Sequence, residues 1–168
     1  MEPYTANRIE KPAYFAGLRP ELEAYLTGRW LTDLANFSAF VFHALPSLNW
    51  AGFYLFDGEK LVLGPFVGKP ACTEIRPGRG VCGTAFARRE AVLVDDVHAF
   101  PGHIACDSAS RSELVIPLFS GGECFGVFDL DSPELARFRN SDRDGISRWL
   151  EALVGKVPPE SWRARPWA

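Results

Sequence analysis

The sequence predicts an antiparallel α+β domain, in which helices near both ends of the chain flank strands that pair as hairpins. Apolar residues recur at helical spacing near both ends. Between them lie two pairs of apolar runs, each pair joined by a short turn, and no segment of the chain is repeated. We therefore expect one domain over residues 20–155, with an N-terminal arm at 1–19 and a C-terminal tail at 156–168.

Two long helices are predicted. The first covers residues 19–45, because its apolar residues from Leu34 onward fall three or four positions apart, and Pro46 ends it. The last covers residues 141–154, which also present one apolar face, and Gly155 ends it.

The strands are predicted to form two hairpins. The turn signals Asp57-Gly58 and Ser120-Gly121-Gly122 each separate two apolar runs. A short helix at 80–88 and a short strand at 91–94 lie between the hairpins, followed by an irregular segment at 95–111. That segment is long for a connecting loop, and it holds histidines and a cysteine, so we expect it to carry function. The hairpin strands are predicted at residues 50–56, 60–66, 113–119 and 124–130.

Composition limits the class of protein. The chain has 168 residues, of which 47% are apolar and 23% charged, and this balance is typical of one globular domain. The net charge is −3 and no block of like charges occurs, which argues against a nucleic-acid binder or a polybasic membrane anchor. Four cysteines are too few for a disulfide-dense secreted scaffold.

Neither a secretory signal nor a membrane span is predicted. The first 15 residues carry four charges and contain no apolar core. The longest uncharged stretch, residues 36–56, contains several polar side chains and is interrupted by Pro46, so it is better explained by a helix, a turn and a strand. The predicted location is the cytoplasm, where thiols are normally kept reduced.

The four cysteines fall into two groups. Cys124 lies on a predicted strand among apolar residues, where a thiol behaves as a small hydrophobic side chain. Cys72, Cys82 and Cys106 lie in the loop-rich middle of the chain, on or beside turns. Such thiols can be buried fillers, metal ligands, nucleophiles or a redox pair.

The residues alone do not support these four alternatives to the same degree. A zinc site that includes His98 and His103 is disfavoured, because no two cysteines lie within four residues of each other. A hydrolase with a Cys106–His nucleophile lacks any second motif. Buried filler and thiol redox chemistry remain equally supported, since redox chemistry needs a thiolate and a second thiol within its reach.

Carboxylates and aromatic residues provide a second candidate cluster. Asp129 and Asp131 lie two positions apart on a strand and therefore point to one face, and Glu113 opens the neighbouring strand. Three such carboxylates would bind an ammonium group or share a proton as a general acid, although a solvated strand end with an Asx turn explains the pair equally well. Trp50 and Tyr54 share one face of the first strand, as core residues or as the wall of a ligand site.

Seven short motifs occur in collinear order over residues 36–145. They are Asn49-Trp-Ala-Gly-Phe-Tyr54, Leu63-Gly-Pro-Phe66, Ala71-Cys72, Gly80-Val-Cys82-Gly83, Pro101-Gly-His-Ile-Ala-Cys106-Asp107, Ser112-Glu113 and Asp129-Leu-Asp131-Ser132. Together these motifs resemble those of the free methionine-(R)-sulfoxide reductases, which are GAF-domain enzymes. The cysteine at 124 is not one of the functional cysteines of that family, and Val67 stands where many relatives have glutamine.

The resemblance implies a GAF-like fold, with a central antiparallel sheet, the N- and C-terminal helices packed on one side and a loop-rich active-site face. It also implies that the Cys106 thiolate attacks the sulfoxide sulfur, releases methionine and becomes a sulfenic acid. Cys72 or Cys82 would then form a disulfide with it, and thioredoxin would reduce that disulfide. No cofactor or metal is implied.

The resemblance further implies that Glu113, Asp129 and Asp131 bind the substrate and polarise or protonate its oxygen, while Trp50 and Tyr54 form the pocket wall. Selectivity for the free amino acid follows if both its charges are buried, because a peptide would leave their partners unpaired. Because proteins of this family often pair as dimers, the resemblance also implies a homodimer, for which the helices at 20–45 and 141–154 would provide the surface. The rival interpretation is a GAF sensor module that binds a ligand without catalysis.

Overall fold

Six antiparallel strands form one sheet in the computed structural model, which describes residues 11–102, 108–165 and 167. Their order across the sheet is β3-β2-β1-β6-β5-β4, so β1 and β6 are central. The predicted α+β class and both predicted hairpins are confirmed. The strands are β1 (Trp50–Phe56), β2 (Leu61–Gly68), β3 (Glu74–Ile75), β4 (Val92–Val94), β5 (Ser112–Ser120) and β6 (Glu123–Ser132).

Five helices accompany the sheet in the described ranges, together with one 3-10 turn at Val97–Ala99. No helix there is both long and apolar enough to cross a bilayer. The helices are α1 (Lys11–Ala24), α2 (Trp30–Ala44), α3 (Gly80–Arg88), α4 (Asn140–Lys156) and α5 (Pro159–Arg163).

The two faces of the sheet carry different layers. Alternation along the central strands sends Phe53 and Phe128 to one face, where both rings contact Phe37 of α2 at centroid distances of 5.8 and 5.1 Å. Helices α1 and α4 contribute to the same apolar core, which confirms the prediction that the terminal helices share one side. The opposite face packs against α3 through a smaller core that includes Val81 and Ala85.

The single helix predicted for residues 19–45 is wrong, because the chain forms α1 and α2 with a break between them. Asp33 in the first turn of α2 stabilises the break. Its Oδ1 accepts hydrogen bonds from the backbone N–H and hydroxyl of Thr27, and its Oδ2 accepts one from the N–H of Gly28. Gly28 has φ +83°, a conformation that ends a helix readily, so the chain turns here.

The predicted N-terminal arm is also partly wrong, because residues 11–19 are helical. Residues 1–10 lie outside the described part of the chain. Phe15 of α1 is buried against α4, where its ring centroid lies 4.8 Å from that of Trp149. The indole Nε1 of Trp149 donates a hydrogen bond of 2.9 Å to the Phe15 carbonyl oxygen. This long-range contact between the two ends of the chain fixes α1 on the domain.

Gly145 provides the space that Phe15 occupies. A Cβ at Gly145 would lie 2.2 to 2.6 Å from three atoms of the Phe15 ring. We expect Gly145→Ala to lower the free energy of unfolding by about 1–3 kcal/mol, because this overpacked contact would displace the ring. Urea titration measures the effect. The control is Gly155→Ala on the same helix, where a Cβ meets nothing within 4 Å and helix propensity favours alanine. Equal stability of both variants would contradict the prediction.

The C-terminal tail packs on the domain. Trp162 of α5 is buried, and its ring stacks on Phe125 of β6 at a centroid distance of 4.6 Å. The indole of Trp167 donates a hydrogen bond of 3.0 Å to the carbonyl oxygen of Phe56, at the end of β1. The two indoles therefore join the tail to both central strands.

Candidate active site

Three carboxyl groups meet on the face of the sheet opposite to α1, α2 and α4. Glu113 pairs directly with Asp131 across β5 and β6, and Asp129 lies two residues before Asp131 on the same face. Glu113 and Asp129 are buried, each about 6% exposed, and Asp131 is half-buried. The structure therefore brings together the three carboxylates that the sequence suggested. The alternative of a solvated strand end does not apply to Asp129, because that residue is buried.

Two aromatic rings stand beside these carboxyl groups. Trp50 of β1 pairs across the sheet with Asp131, and its ring stacks on Tyr54 and on Phe66 at centroid distances of 5.9 and 5.3 Å. Trp50 and Tyr54 line a cavity of about 40 Å³ together with Glu113 and the two aspartates. The predicted wall and the predicted acidic cluster are thus parts of one cavity.

The first turn of α3 brings Cys82 to the same cavity. The helix approaches the preceding turn closely, since a Cβ at Gly83 would lie 2.4 Å from the Arg76 carbonyl oxygen. Cys82 is a free, buried cysteine whose Sγ lies within 4.8 Å of a carboxyl oxygen of both Glu113 and Asp129. This spacing would also suit a metal ion, but hydrogen bonds from Cys82 and Glu113 to Asp129 account for it.

Burial changes the protonation of these groups. It raises the pKa of Asp129 to about 7. Hydrogen bonds from Cys82 and Glu113 favour the ionised form and lower this pKa, but the effect of burial is larger. Burial and then the charges of Asp129 and Asp131 hold the Glu113 pKa well above its usual range. The two carboxyl groups therefore bind a proton more readily than exposed carboxyl groups do, and the hydrogen bond between them lets them share it. Oδ1 of Asp129 is buried and accepts no hydrogen bond from any residue that the structure describes.

Cys82 is equally held in its neutral form. Burial raises its pKa well above the ordinary value, and the charges of Asp129 and Glu113 raise it further. A position in the first turn of a helix normally favours a thiolate, but these effects oppose it. Cys82 is therefore a thiol that donates a hydrogen bond, which is not the state that attacks a sulfoxide or a disulfide.

The raised Asp129 pKa predicts that stability depends on pH. Because the folded-state pKa lies above the unfolded value of 3.8, the folded protein binds more protons, and stability is lost as pH rises from about 4 through about 7. We expect the free energy of unfolding to fall across this window, and to fall less in Asp129→Asn. Urea titrations at several pH values measure both slopes. Identical slopes in the two proteins would contradict this origin.

The remaining cysteines are divided by the structure. Cys106 and His103 belong to residues 103–107, which lie outside the described part of the chain. Cys72, on the loop between β2 and β3, is disulfide-bonded, whereas Cys82 and Cys124 are free thiols. Cys124 is buried on β6, which confirms its prediction as a core thiol. His98, a ligand in the disfavoured zinc alternative, is exposed.

Sequence reasoning missed part of the cavity. Lys69 and Arg79 are surface residues that also line it and supply positive charge near the carboxyl groups. Their proximity in sequence to Cys72 and Cys82 was the available signal. Ser110, a buried residue just before β5, also lines the cavity, and its hydroxyl accepts a hydrogen bond of 3.0 Å from the side-chain amide of Asn49.

Comparisons with known proteins agree with this geometry. The GAF domain family model matches residues 33–152. The chain is 47% identical over 151 residues to the free methionine-R-sulfoxide reductase of Escherichia coli, which covers 89% of this chain and 91% of that protein.

Two solved structures are similar throughout. One is free methionine-R-sulfoxide reductase from Neisseria meningitidis in complex with its substrate, with a TM-score of 0.84, 41% identity, and coverage of 98% of this chain and 99% of that one. The other is a putative GAF sensor protein from Burkholderia vietnamiensis, with a TM-score of 0.81, 50% identity, and coverage of 88% and 95%. From the family match and the extent of these similarities, we conclude that the chain belongs to the free methionine-R-sulfoxide reductase family of GAF-domain proteins.

Proposed function

We propose that this protein reduces free L-methionine-(R)-sulfoxide to methionine. The observation that carries the proposal is the buried pair Glu113 and Asp129, which share a proton in a cavity walled by Trp50 and Tyr54. A neutral carboxylic acid held at neutral pH is suited to protonate a sulfoxide oxygen, which becomes more basic as its bond to sulfur weakens. The names and substrate complexes of the similar proteins support the same reaction.

Substrate binding follows from the charges and rings of the cavity. The aromatic wall of Trp50 and Tyr54 would contact the methyl and alkyl groups of the substrate. Removing the apolar area of these groups from water would favour binding. Carboxylate groups at Asp129 and Asp131 would bind the ammonium group, while Lys69 supplies positive charge for the substrate carboxylate. A methionine sulfoxide within a peptide has neither charge, so it would leave these groups unpaired and bind poorly.

The covalent steps are assigned to Cys106 and Cys72. The Cys106 thiolate attacks the sulfoxide sulfur, and the oxygen moves to Cys106 as methionine leaves, so that the thiol is oxidised to a sulfenic acid while the sulfoxide is reduced. The Cys72 sulfur then bonds to the Cys106 sulfur, the sulfur–oxygen bond breaks, and the oxygen leaves as water. Support for Cys72 as the second thiol comes from its ability to form a disulfide, whereas Cys82 and Cys124 are free thiols.

The test supplies the substrate and a complete reducing system. The protein, thioredoxin, thioredoxin reductase and NADPH are mixed with free L-methionine-(R)-sulfoxide, and NADPH oxidation is followed. We expect turnover with the free R epimer and little with the S epimer or with a peptide that contains the sulfoxide. Ligand binding without turnover would favour the sensor interpretation instead. Turnover with a chemical dithiol but not with thioredoxin would reject only the proposed reductant.

A homodimer through the terminal helices stays a prediction. Sedimentation equilibrium tests it directly, because a dimer doubles the 18.6 kDa mass of the chain.

A further inference from the structure

The loop that joins β2 to β3 carries Cys72 and is fixed at both ends. It leaves β2 at Gly68, whose φ of +136° is rarely adopted by other residues. A side chain at this position would place its Cβ 2.6 Å from the Trp50 ring. It returns to the sheet at Thr73, whose carbonyl oxygen accepts a hydrogen bond of 3.0 Å from the N–H of Leu63. The position of Cys72 therefore depends on what holds the loop between these points.

The polar ends of the two wall residues hold that loop. The indole Nε1 of Trp50 donates a hydrogen bond of 3.1 Å to the Lys69 carbonyl oxygen. The hydroxyl of Tyr54 donates one of 2.9 Å to the carbonyl oxygen of Cys72 itself. Both donors belong to the central strand β1, and both side chains are almost completely buried. They connect the backbone of Lys69 and of Cys72 to a central strand of the sheet.

Tyr54 is held as a donor. Its ring stacks on Trp50, and burial together with the nearby charge of Asp129 raises its pKa far above the usual value for tyrosine. The hydroxyl therefore keeps its proton at neutral pH and can donate it in a hydrogen bond to the Cys72 carbonyl group.

We propose that Tyr54, assisted by Trp50, is a positioning residue that fixes Cys72 for the disulfide-forming step. The inference rests on the proposed role of Cys72 as the second thiol. In that step the Cys72 thiol loses its proton, its sulfur bonds to the sulfenic sulfur, and the hydroxyl group leaves as water with that proton. An attack of this kind needs the Cys72 sulfur in line with the sulfur–oxygen bond that breaks. A less well positioned loop therefore slows this step more than the first one.

The test separates the two steps with Tyr54→Phe, which keeps the ring and removes only the hydroxyl. Pre-reduced protein is mixed with one equivalent of substrate without added reductant. Methionine release, sulfenic acid and disulfide are then followed by rapid quenching, by trapping with a cyclic 1,3-diketone, and by mass spectrometry. We expect disulfide formation to slow about 3- to 10-fold relative to methionine release, the effect of one hydrogen bond, so that trapped sulfenic acid accumulates.

The matched control is Tyr14→Phe. Tyr14 also donates its hydroxyl proton to a backbone carbonyl group, that of Ala44 at 2.6 Å, but it lies on α1, on the other side of the sheet. This variant loses the same kind of hydrogen bond, so any effect of general destabilisation appears in it as well. We expect the wild-type ratio of the two rates in Tyr14→Phe. A wild-type ratio in Tyr54→Phe would overturn the inference.

A third variant distinguishes failure of the inference from failure of the proposed function. Cys72→Ser removes the second thiol, and we expect it to accumulate sulfenic acid after a single release of methionine. If it forms a disulfide at the wild-type rate, Cys72 is not the second thiol, so its assigned role and the inference both fail, while methionine release still supports the proposed reaction. If it accumulates sulfenic acid and Tyr54→Phe does not, only the positioning role of Tyr54 is rejected.

Discussion

Cys106→Ser is expected to lower the rate of methionine formation by about 10³-fold or more, because the serine hydroxyl neither ionises readily nor accepts oxygen from the sulfoxide. The loss should appear in single turnover as well as in the steady state, since the variant fails in the first chemical step. Rapid-quench measurement of methionine, starting from reduced protein, is the direct assay. Binding of the substrate should persist in this variant, because the carboxyl groups and the aromatic wall remain.

The matched controls for Cys106 are the two cysteines that are free thiols, Cys82 and Cys124. Cys124→Ser, on β6, is expected to retain methionine formation, because Cys124 lies outside the cavity lining. Cys82→Ser is expected to retain measurable methionine formation, because a serine hydroxyl can still donate a hydrogen bond to Asp129. An active Cys106→Ser together with an inactive Cys82→Ser would reverse the assignment of the nucleophile.

Glu113→Gln is expected to lower kcat by about 10²- to 10⁴-fold, the contribution typical of a positioned general acid. Glutamine keeps the shape and can still donate a hydrogen bond, but it supplies no proton as the bond between sulfur and oxygen breaks. The loss should therefore fall mainly on kcat, while KM changes less. Steady-state kinetics over a range of pH separates the two quantities.

The control for Glu113 is Glu123→Gln. Glu123 opens β6 at the far end of the same hairpin, where it forms an exposed ion pair with Arg165. We expect nearly wild-type kinetics, since exposed ion pairs contribute little to stability. A kcat unchanged in Glu113→Gln but strongly lowered in Asp129→Asn would assign the acid to Asp129 instead.

The central part of the site could be predicted from sequence because it depends on strand geometry. The two-residue period placed Asp129 and Asp131 on one face, and a short hairpin turn brought Glu113 beside them. The same period put Trp50 and Tyr54 together on β1. These relations need only local pairing between neighbouring strands, which apolar patterns and turn residues specify well.

Other features depend on contacts between distant residues. The Asp33 side chain stabilises the break between α1 and α2. The apolar pattern of residues 19–45 resembles that of one continuous helix and therefore does not show this break. The contact of Phe15 with Gly145 joins segments 130 positions apart, and no local pattern shows it. The neutral state of Cys82 arises only when α3 packs its first turn against two buried carboxyl groups. Burial and charge of this kind belong to the tertiary structure.

The row of Trp50, Asp131 and Glu113 crosses three neighbouring strands of the sheet. A slip of β6 by one residue would turn both aspartates towards the face covered by α1, α2 and α4, and would bring Phe128 and Leu130 into the cavity. Such a slip would bury carboxyl groups in an apolar core, so a chain that loses the chemistry in this way also loses stability. A change in the turn that shifted this register would therefore lower both the activity and the stability of the protein. A misregistered population that is folded but inactive is not expected to persist.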